Sequence, residues 1–431
     1  MKDFASSESP KVQAQLDRLA ALSLPQGRIG IDAVKVLLAR LGDPQDRLPP
    51  VFHVAGTNGK GSTCAYLRAT LEAEGLRVHA TTSPHLVRYN ERIRIAGELI
   101  GDDALAELLG EVLDSASSLE ISFFEATIAA AFLAFSRAPA DACVIEVGMG
   151  GRFDATNVIA RPAVCGIVTL GIDHERFLLA PEAGTPREPL ARIAFEKAGI
   201  AKHGVPLVTL DHPSAAAREI AAAAHRSGAR LVMRGKDWDA KIGETVDYSD
   251  ANGTLSLPLP NLPGAHQADN AALAIAMLRH QDAVEVSAEA MALGIGSARW
   301  PARLQLLGNG PLAALARGRE IWLDGGHNPD AGAAIARYFA GQRLHLIIGM
   351  LANKDPGALI APLAGNLASV TAVPVPGHEH HGAAAFGPDT IAMPDAASAL
   401  AAVPDDGLPV LICGSLYLAG DVLRLNGEVP V

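Results

Sequence analysis

The sequence predicts an α/β protein with a mainly parallel sheet and more than one domain, and three observations carry that expectation. Short Val/Ile-rich runs alternate with stretches of helical length and spacing from residue 51 onward, as strands joined by crossover helices do. A glycine-rich turn directly follows the first of these runs. The chain has 431 residues, more than a single hydrophobic core usually serves.

Taken in order, Val51–Ala55, Leu76–Thr81, Ala142–Val147, Ala163–Thr169 and Val205–Leu210 read as strands separated by helices. Pro258, Pro260 and Pro263 make Leu255–Gly264 a loop that delivers a helix beginning near Gln267, since proline removes a backbone donor and breaks regular elements. A second break falls at Ser297–Pro301, after which Ile321–Asp324, Leu344–Ile348, Ser369–Val373 and Pro409–Cys413 resume the strand signal. The expected domains are therefore residues 1–297 and a smaller 298–431.

Composition narrows the function classes. Apolar residues make up 49% and charged residues 19% of the chain, an ordinary globular balance. A formal charge of -11 with no basic stripe argues against nucleic acid, whose binding is driven by lysines and arginines neutralising phosphates. A small anion remains open as a substrate. Met1–Pro10 lacks the basic start and apolar core of a secretory signal, and the most apolar run, Ala126–Phe135, is too short to span a bilayer. A cytoplasmic protein without a membrane partner is expected. Cys64, Cys143, Cys165 and Cys413 are widely spaced and read as reduced core thiols rather than a disulfide framework.

The sharpest local signal is the run from Val51 to Thr63, a strand entering Gly56-Thr57-Asn58-Gly59-Lys60-Gly61-Ser62-Thr63 and then a helix. Glycines let successive N–H groups converge on phosphate oxygens, the helix start adds its positive dipole end, and Lys60 adds a cation. Ser62 or Thr63 can offer a hydroxyl to magnesium or phosphate. The common Walker spacing fails, because Val54 stands where glycine and Gly61 where Ser or Thr would be. The loop is a variant of that pattern.

Thr57–Thr63 is the form of this loop found in the folylpolyglutamate synthases, and the chain resembles that family within the Mur ligase superfamily. Further matches follow in order at Ser83–Arg92, Phe123–Glu125, Glu146–Asn157, Asp173-His174, Glu196–Ile200, His266-Gln267 with Asn270, Trp300–Arg303, Asp324–Pro329, Gly349–Asp355 and Gly414–Tyr417. The resemblance implies a P-loop ATPase domain, a smaller Rossmann-like carboxy-terminal domain, and an active site in the interdomain cleft. It also implies an ATP-dependent amide ligase of folate biosynthesis and one-carbon metabolism. ATP activates a substrate carboxylate as an acyl phosphate, and the amine of L-glutamate displaces phosphate. The acceptors are dihydropteroate and folates, and the protein acts as a monomer.

The resemblance assigns residues as well. Ser83, Glu146 and His174 match magnesium-site positions, and Lys197 matches a carbamylated lysine that helps hold a second Mg2+. Lys60, Glu146, His174 and Lys197 are thereby the catalytic set. Asn270, Arg303, Asp324 and His327 match ATP contacts alongside Thr57–Thr63. Arg28, Ile29, Gly30, Ser122, Phe123, Phe124, Phe153 and Asp154 match the pterin side. The residues alone leave other readings open: turn or loop groups for Ser83 and His174, a solvated carboxylate for Glu146, a surface amine for Lys197, an ion pair for Arg303, and core rings for Phe123 and Phe124. Synthases with one activity, other Mur-like ligases, and a nucleotide-binding ATPase that does not ligate remain as alternatives. The chain departs from the pattern by extra residues between His174 and Lys197, including Pro181, Pro186 and Pro189, and by Leu178-Leu179, Ala302 and Gly326. The run His378-Glu379-His380-His381 lacks the helical spacing of a zinc motif and reads as a solvated loop.

Overall fold

In the computed structural model, which describes residues 6–22 and 30–430, the apolar runs of the first unit form one sheet. Its strands are β1 (Val51–Ala55), β2 (Val78–Thr81), β3 (Ile93–Ile95), β4 (Glu98–Leu99), β5 (Ala142–Glu146), β6 (Val164–Ile167), β7 (Pro206–Thr209) and β8 (Arg230–Met233). Their order is β4-β3-β2-β5-β1-β6-β7-β8. From β2 to β8 neighbours are parallel, and antiparallel β3 and β4 close one edge. The register sets Val54 opposite Glu146, so the glycine-rich turn and a carboxylate leave adjacent strands at the same carboxyl edge, where open α/β sheets place ligands.

Helices cover both faces. On one, α1 (Pro10–Ala20), α2 (Asp32–Arg40), α4 (Asp102–Ser115) and α5 (Phe123–Arg137) bury Leu16, Leu37, Leu109 and Phe132 with Cys143 and Ile145 of the sheet. The phosphate-loop helix is α3 (Lys60–Ala73). On the other face, α6 (Glu175–Leu178), α7 (Pro189–Lys197) and α8 (Ser214–Ser227) bury Leu178, Ile193 and Ile220 against Cys165, Ile167 and Leu207. The unit is completed by α9 (Ala265–Arg279) from Gln267 onward and by α10 (Ala288–Ser297). The apolar run Ala126–Phe135 is buried all round within α5, which is why it carries no polar face. Among the described residues no helix is long and apolar enough to cross a membrane. All four cysteines are free and buried.

One expectation is corrected. Residues 255–257 belong to a strand rather than a loop: β9 (Trp238–Ile242), β10 (Val246–Asp250) and β11 (Gly253–Leu257) form a separate antiparallel sheet. The prolines begin only at Pro258, and Leu257, paired with Val246, is buried with Tyr248 and Trp238.

The second unit comprises His85–Arg88, Leu262–His266 and Arg299–Val431. Its strands β12 (Gln305–Leu306), β13 (Ile321–Leu323), β14 (Leu344–Ile348), β15 (Leu367–Ala372), β16 (Ile391–Ala392) and β17 (Val410–Cys413) take the order β12-β13-β17-β14-β15-β16. Only β12 is antiparallel. Ile347 packs with Leu400 and Leu423 on one face, while its neighbours Leu346 and Ile348 pack with Phe339 and Leu359 on the other, the two-residue alternation of a sheet covered on both sides. Its helices are α11 (Pro329–Tyr338), α12 (Gly357–Leu363), α13 (Ala396–Ala402) and α14 (Leu416–Asn426).

Candidate active site

The turn between β1 and α3 has the backbone a phosphate cradle needs. Gly59, the residue before α3, is left-handed with φ 93°, and a Cβ there would overlap the side chain of Asn270, so only glycine fits. The amides of Thr57 and Asn58 donate to Thr169 O at 2.9 and 3.3 Å, and Thr57 Oγ1 is bonded to Gly171 at 2.9 Å. The first half of the turn is thereby pinned to the end of β6. Because Gly59 offers no side-chain cap, the amides at the start of α3 lack a capping oxygen from it and carry the helix's positive end. Ser62 Oγ is buried without a hydrogen-bond partner.

Lys60 and Glu146 meet beside this turn. Lys60 Nζ lies 4.0 Å from Glu146 Oε1, with side chains 16% and 5% exposed, and it donates to Thr57 O at 3.4 Å. The backbone amide of Ser83 donates to Glu146 Oε2 at 3.2 Å. A buried carboxylate, a nearby hydroxyl residue and an orphaned serine oxygen are hard oxygen donors. Magnesium travels with nucleotide phosphates, keeps several waters and takes only one or two protein carboxylates, so these residues fit it. Among the described residues no group of three or more His, Cys, Asp or Glu is gathered to hold a metal alone.

Lys197 belongs to the same turn from the other side. It ends α7, is 3% exposed, and its Nζ donates to Gly56 O at 2.8 Å. Burial, reinforced by the charge of Lys60, pulls its pKa down to about 7 against the opposing pull of Asp173, Asp154 and Glu196. A surface amine, the bland reading of the sequence, is excluded by this burial.

The other predicted residues divide. His174 precedes α6 in a left-handed conformation, φ 54°, and its amide is bonded to Asp173 Oδ1 at 2.7 Å. Asp154 is buried: Oδ2 accepts from Met149 N, and Oδ1 from Thr156 N and Oγ1. Burial holds its pKa above the carboxylate range. Ser122 caps α5 in a reciprocal box with Glu125. Phe123 packs edge-on to Tyr89 at 5.9 Å under the buried Arg92 guanidinium, whereas Phe124 packs on Gly148 in the loop after β5. Phe153 stacks under Arg152 at 4.2 Å. Gly30 is exposed, and Arg28 and Ile29 lie outside the described residues.

Asn270 on α9 reaches Gly59, and its Nδ2 donates to Gln267 Oε1 at 3.2 Å. Gln267 received no role from the sequence, yet its Nε2 is buried without a partner; the i, i+3 spacing on one helix face was its signal. In the second unit, Asp324 follows β13 and accepts from Leu304 N and Gly326 N at 2.8 and 2.7 Å. Arg303 donates to Ala302 O, and His327 Nδ1 lies 3.1 Å from Gly325 O. The Gly349–Asp355 and His378–His381 segments are joined there: His381 Nε2 donates to Lys354 O at 2.7 Å and Ala352 N to Glu379 O at 3.0 Å. Thus half-buried His378 and His381 pack against this unit while only Glu379 and His380 stay exposed, and the solvated loop expected there is half right.

Comparison with known proteins decides the family. The chain is 34% identical over 420 residues to the dihydrofolate synthase/folylpolyglutamate synthase of Escherichia coli, covering 92% of this chain and 91% of that protein. The chain belongs to the dihydrofolate synthase/folylpolyglutamate synthase family. It is an ATP-dependent ligase with the two-domain Mur-ligase-like fold. Escherichia coli FolC in complex with DHPP and ADP superposes with TM-score 0.84 at 31% identity over 97% of each chain. A bifunctional folylpolyglutamate synthase/dihydrofolate synthase with Mn, AMPPNP and L-glutamate bound gives 0.83 at 30% identity, over 98% of this chain and 99% of that one. No family model matches the chain.

Proposed function

We propose that the protein adds L-glutamate both to dihydropteroate and to folates, as a cytoplasmic monomer organised into domains 1–297 and 298–431. The observation that carries this is the convergence of Lys60, Glu146 and Lys197 on one glycine turn, with Nζ of Lys60 4.0 Å from Glu146 and Nζ of Lys197 2.8 Å from Gly56 O. Moving a phosphoryl group onto a carboxylate brings two anions together, so the site must supply cations and oriented amides rather than a covalent nucleophile. The start of α3 and Lys60 bind the phosphates. Glu146, with Ser83 and His174, would hold a Mg2+, whose positive charge would offset the repulsion between the two anions. Lys197, its pKa pulled down to about 7, has a substantial neutral fraction near physiological pH; that amine could add carbon dioxide and release a proton, and the resulting carbamate anion would help hold a second Mg2+. Asn270, Arg303, Asp324 and His327 bind the nucleotide, and Phe124 with Phe153, Asp154, Ser122, Phe123 and the residues 28–30 form the pterin side.

The acceptor carboxylate attacks the terminal phosphoryl, ADP leaves, and the glutamate amine then displaces phosphate from the acyl phosphate. ADP release with dihydropteroate, tetrahydrofolate or neither, each with and without glutamate, tests the whole reading. Turnover needing both glutamate and either acceptor is expected. Release independent of glutamate would indicate an ATPase that does not ligate, and response to one acceptor would restrict the enzyme to one activity. With 18O in the acceptor carboxylate, one labelled oxygen must appear in phosphate; its absence rejects the acyl phosphate.

A further inference from the structure

The extra residues between His174 and α7 are tied to the helix that ends in Lys197 by a closed ring of charges. Glu182, in that segment, accepts from Arg152 Nη1 at 3.3 Å and Nη2 at 2.5 Å, and from Arg192 Nη2 at 3.1 Å. Glu196 accepts from Arg152 Nε at 3.0 Å and Nη2 at 2.8 Å, and pairs with Arg192 at 2.8 Å. The four alternate in sign, so each guanidinium bridges both carboxylates. Arg192 and Glu196 are 7% and 6% exposed in their side chains, Arg152 and Glu182 22%. These are not solvated surface pairs of negligible worth, because losing one member leaves a partly buried charge without its counter-charge.

The ring is joined to the backbone at Lys197. Arg152 N donates to Glu196 O at 2.8 Å, and Gly151 lies against the carbonyls of Glu196 and Lys197 with no room for a Cβ. Arg192 also bonds Thr185 of the extra segment, and Leu178 packs on Gly150. The extra residues therefore press the Gly150–Arg152 turn onto the end of α7. Without Glu182, two guanidinium groups face the single carboxylate of Glu196 and repel each other across that end.

We propose that Glu182 is a positioning residue that holds the end of α7 so that Lys197 Nζ stays buried against Gly56 O; the proposal rests on the role given to Lys197 above. The test uses Glu182→Ala and, because a poorly folded variant would be uninformative, Glu182→Gln, which keeps the shape without the charge. Acetylation of Lys197 by a lysine-reactive reagent, read by mass spectrometry and normalised to Lys11, whose side chain is 73% exposed, reports position independently of activity. Roughly tenfold faster labelling of Lys197 is expected in Glu182→Ala and a smaller rise in Glu182→Gln, with kcat down about tenfold and KM changed less than about twofold, since small displacements at a reacting centre are costly. Labelling at the wild-type rate in both folded variants overturns the proposal. If Lys197→Ala ligates normally, the role of Lys197 in the reaction fails instead, and the labelling result still decides for or against Glu182.

Discussion

Lys197 is a site residue whose ionisation its environment shifts strongly. Its pKa of about 7 comes first from burial and then from Lys60, both of which disfavour the ammonium. In an unfolded chain the amine titrates near 10.5. Between those values the unfolded state binds the extra proton, so stability rises with pH; the burial cost of the ammonium is complete below pH about 7. Two outcomes follow. With 13C-bicarbonate, a carbamate resonance that Lys197→Ala lacks should grow as pH rises through about 7 and vanish about one unit below it; a pH-independent signal, or none, rejects the modification. Replacement of Lys60 or Glu146 by alanine should lower turnover by about a hundredfold or more while the thermal melt stays close to wild type, because a transition-state contact is lost rather than a core. A retained rate removes those side chains from the mechanism. The phosphate turn was legible in the sequence because glycines, lysine and helix are consecutive. The state of Lys197 was not, since the carbonyl its amine meets belongs to Gly56 and the turn packed on its backbone to Gly151, both far off in the chain.

At the scale of elements, legibility followed hydrophobic pattern. β1, β5, β14 and β17 are buried on both faces, and continuous apolar runs of that kind announce themselves. The pairs β3 and β4 and the sheet β9–β11 were missed because their strands are short or half exposed, as in Trp238–Ile242, and pairing rather than composition defines them. The start of α5 shows a site residue with two readings. Ser122 was placed on the pterin side, yet its Oγ accepts from Glu125 N and donates to Glu125 Oε2, while Ser122 N donates to the same carboxylate. Ser122→Ala should therefore cost about 1 kcal/mol of stability, read as a lower denaturant midpoint. An unmoved midpoint, with a change confined to the KM for dihydropteroate, would leave Ser122 with its pterin-side role alone.

The whole molecule carries a formal charge of -11, so acid first reduces its net charge, and any loss of stability there must come from particular groups. His53 is the principal one in the first unit. It lies on β1 with no exposed surface, its Nε2 2.8 Å from Thr156 Oγ1, and burial followed by the charge of Lys202 lowers its pKa to about 3. His212 is lowered to about 4, again by burial. Both are neutral in the fold and protonate near 6.5 once unfolded, so the unfolded state binds more protons between those values and stability falls as pH drops below about 6.5. Asp154, raised by burial, pulls the other way only as its own carboxyl protonates. The loss attributable to His53 reaches roughly 2 kcal/mol by about pH 5. His53→Leu, which cannot titrate, is expected to start less stable at neutral pH by about 1 kcal/mol for the lost Thr156 bond, and then to lose less than wild type on acidification. Urea unfolding of both proteins from pH about 7 down to about 5 measures this; parallel acid limbs would mean that His53 is not the group through which protons destabilise the fold.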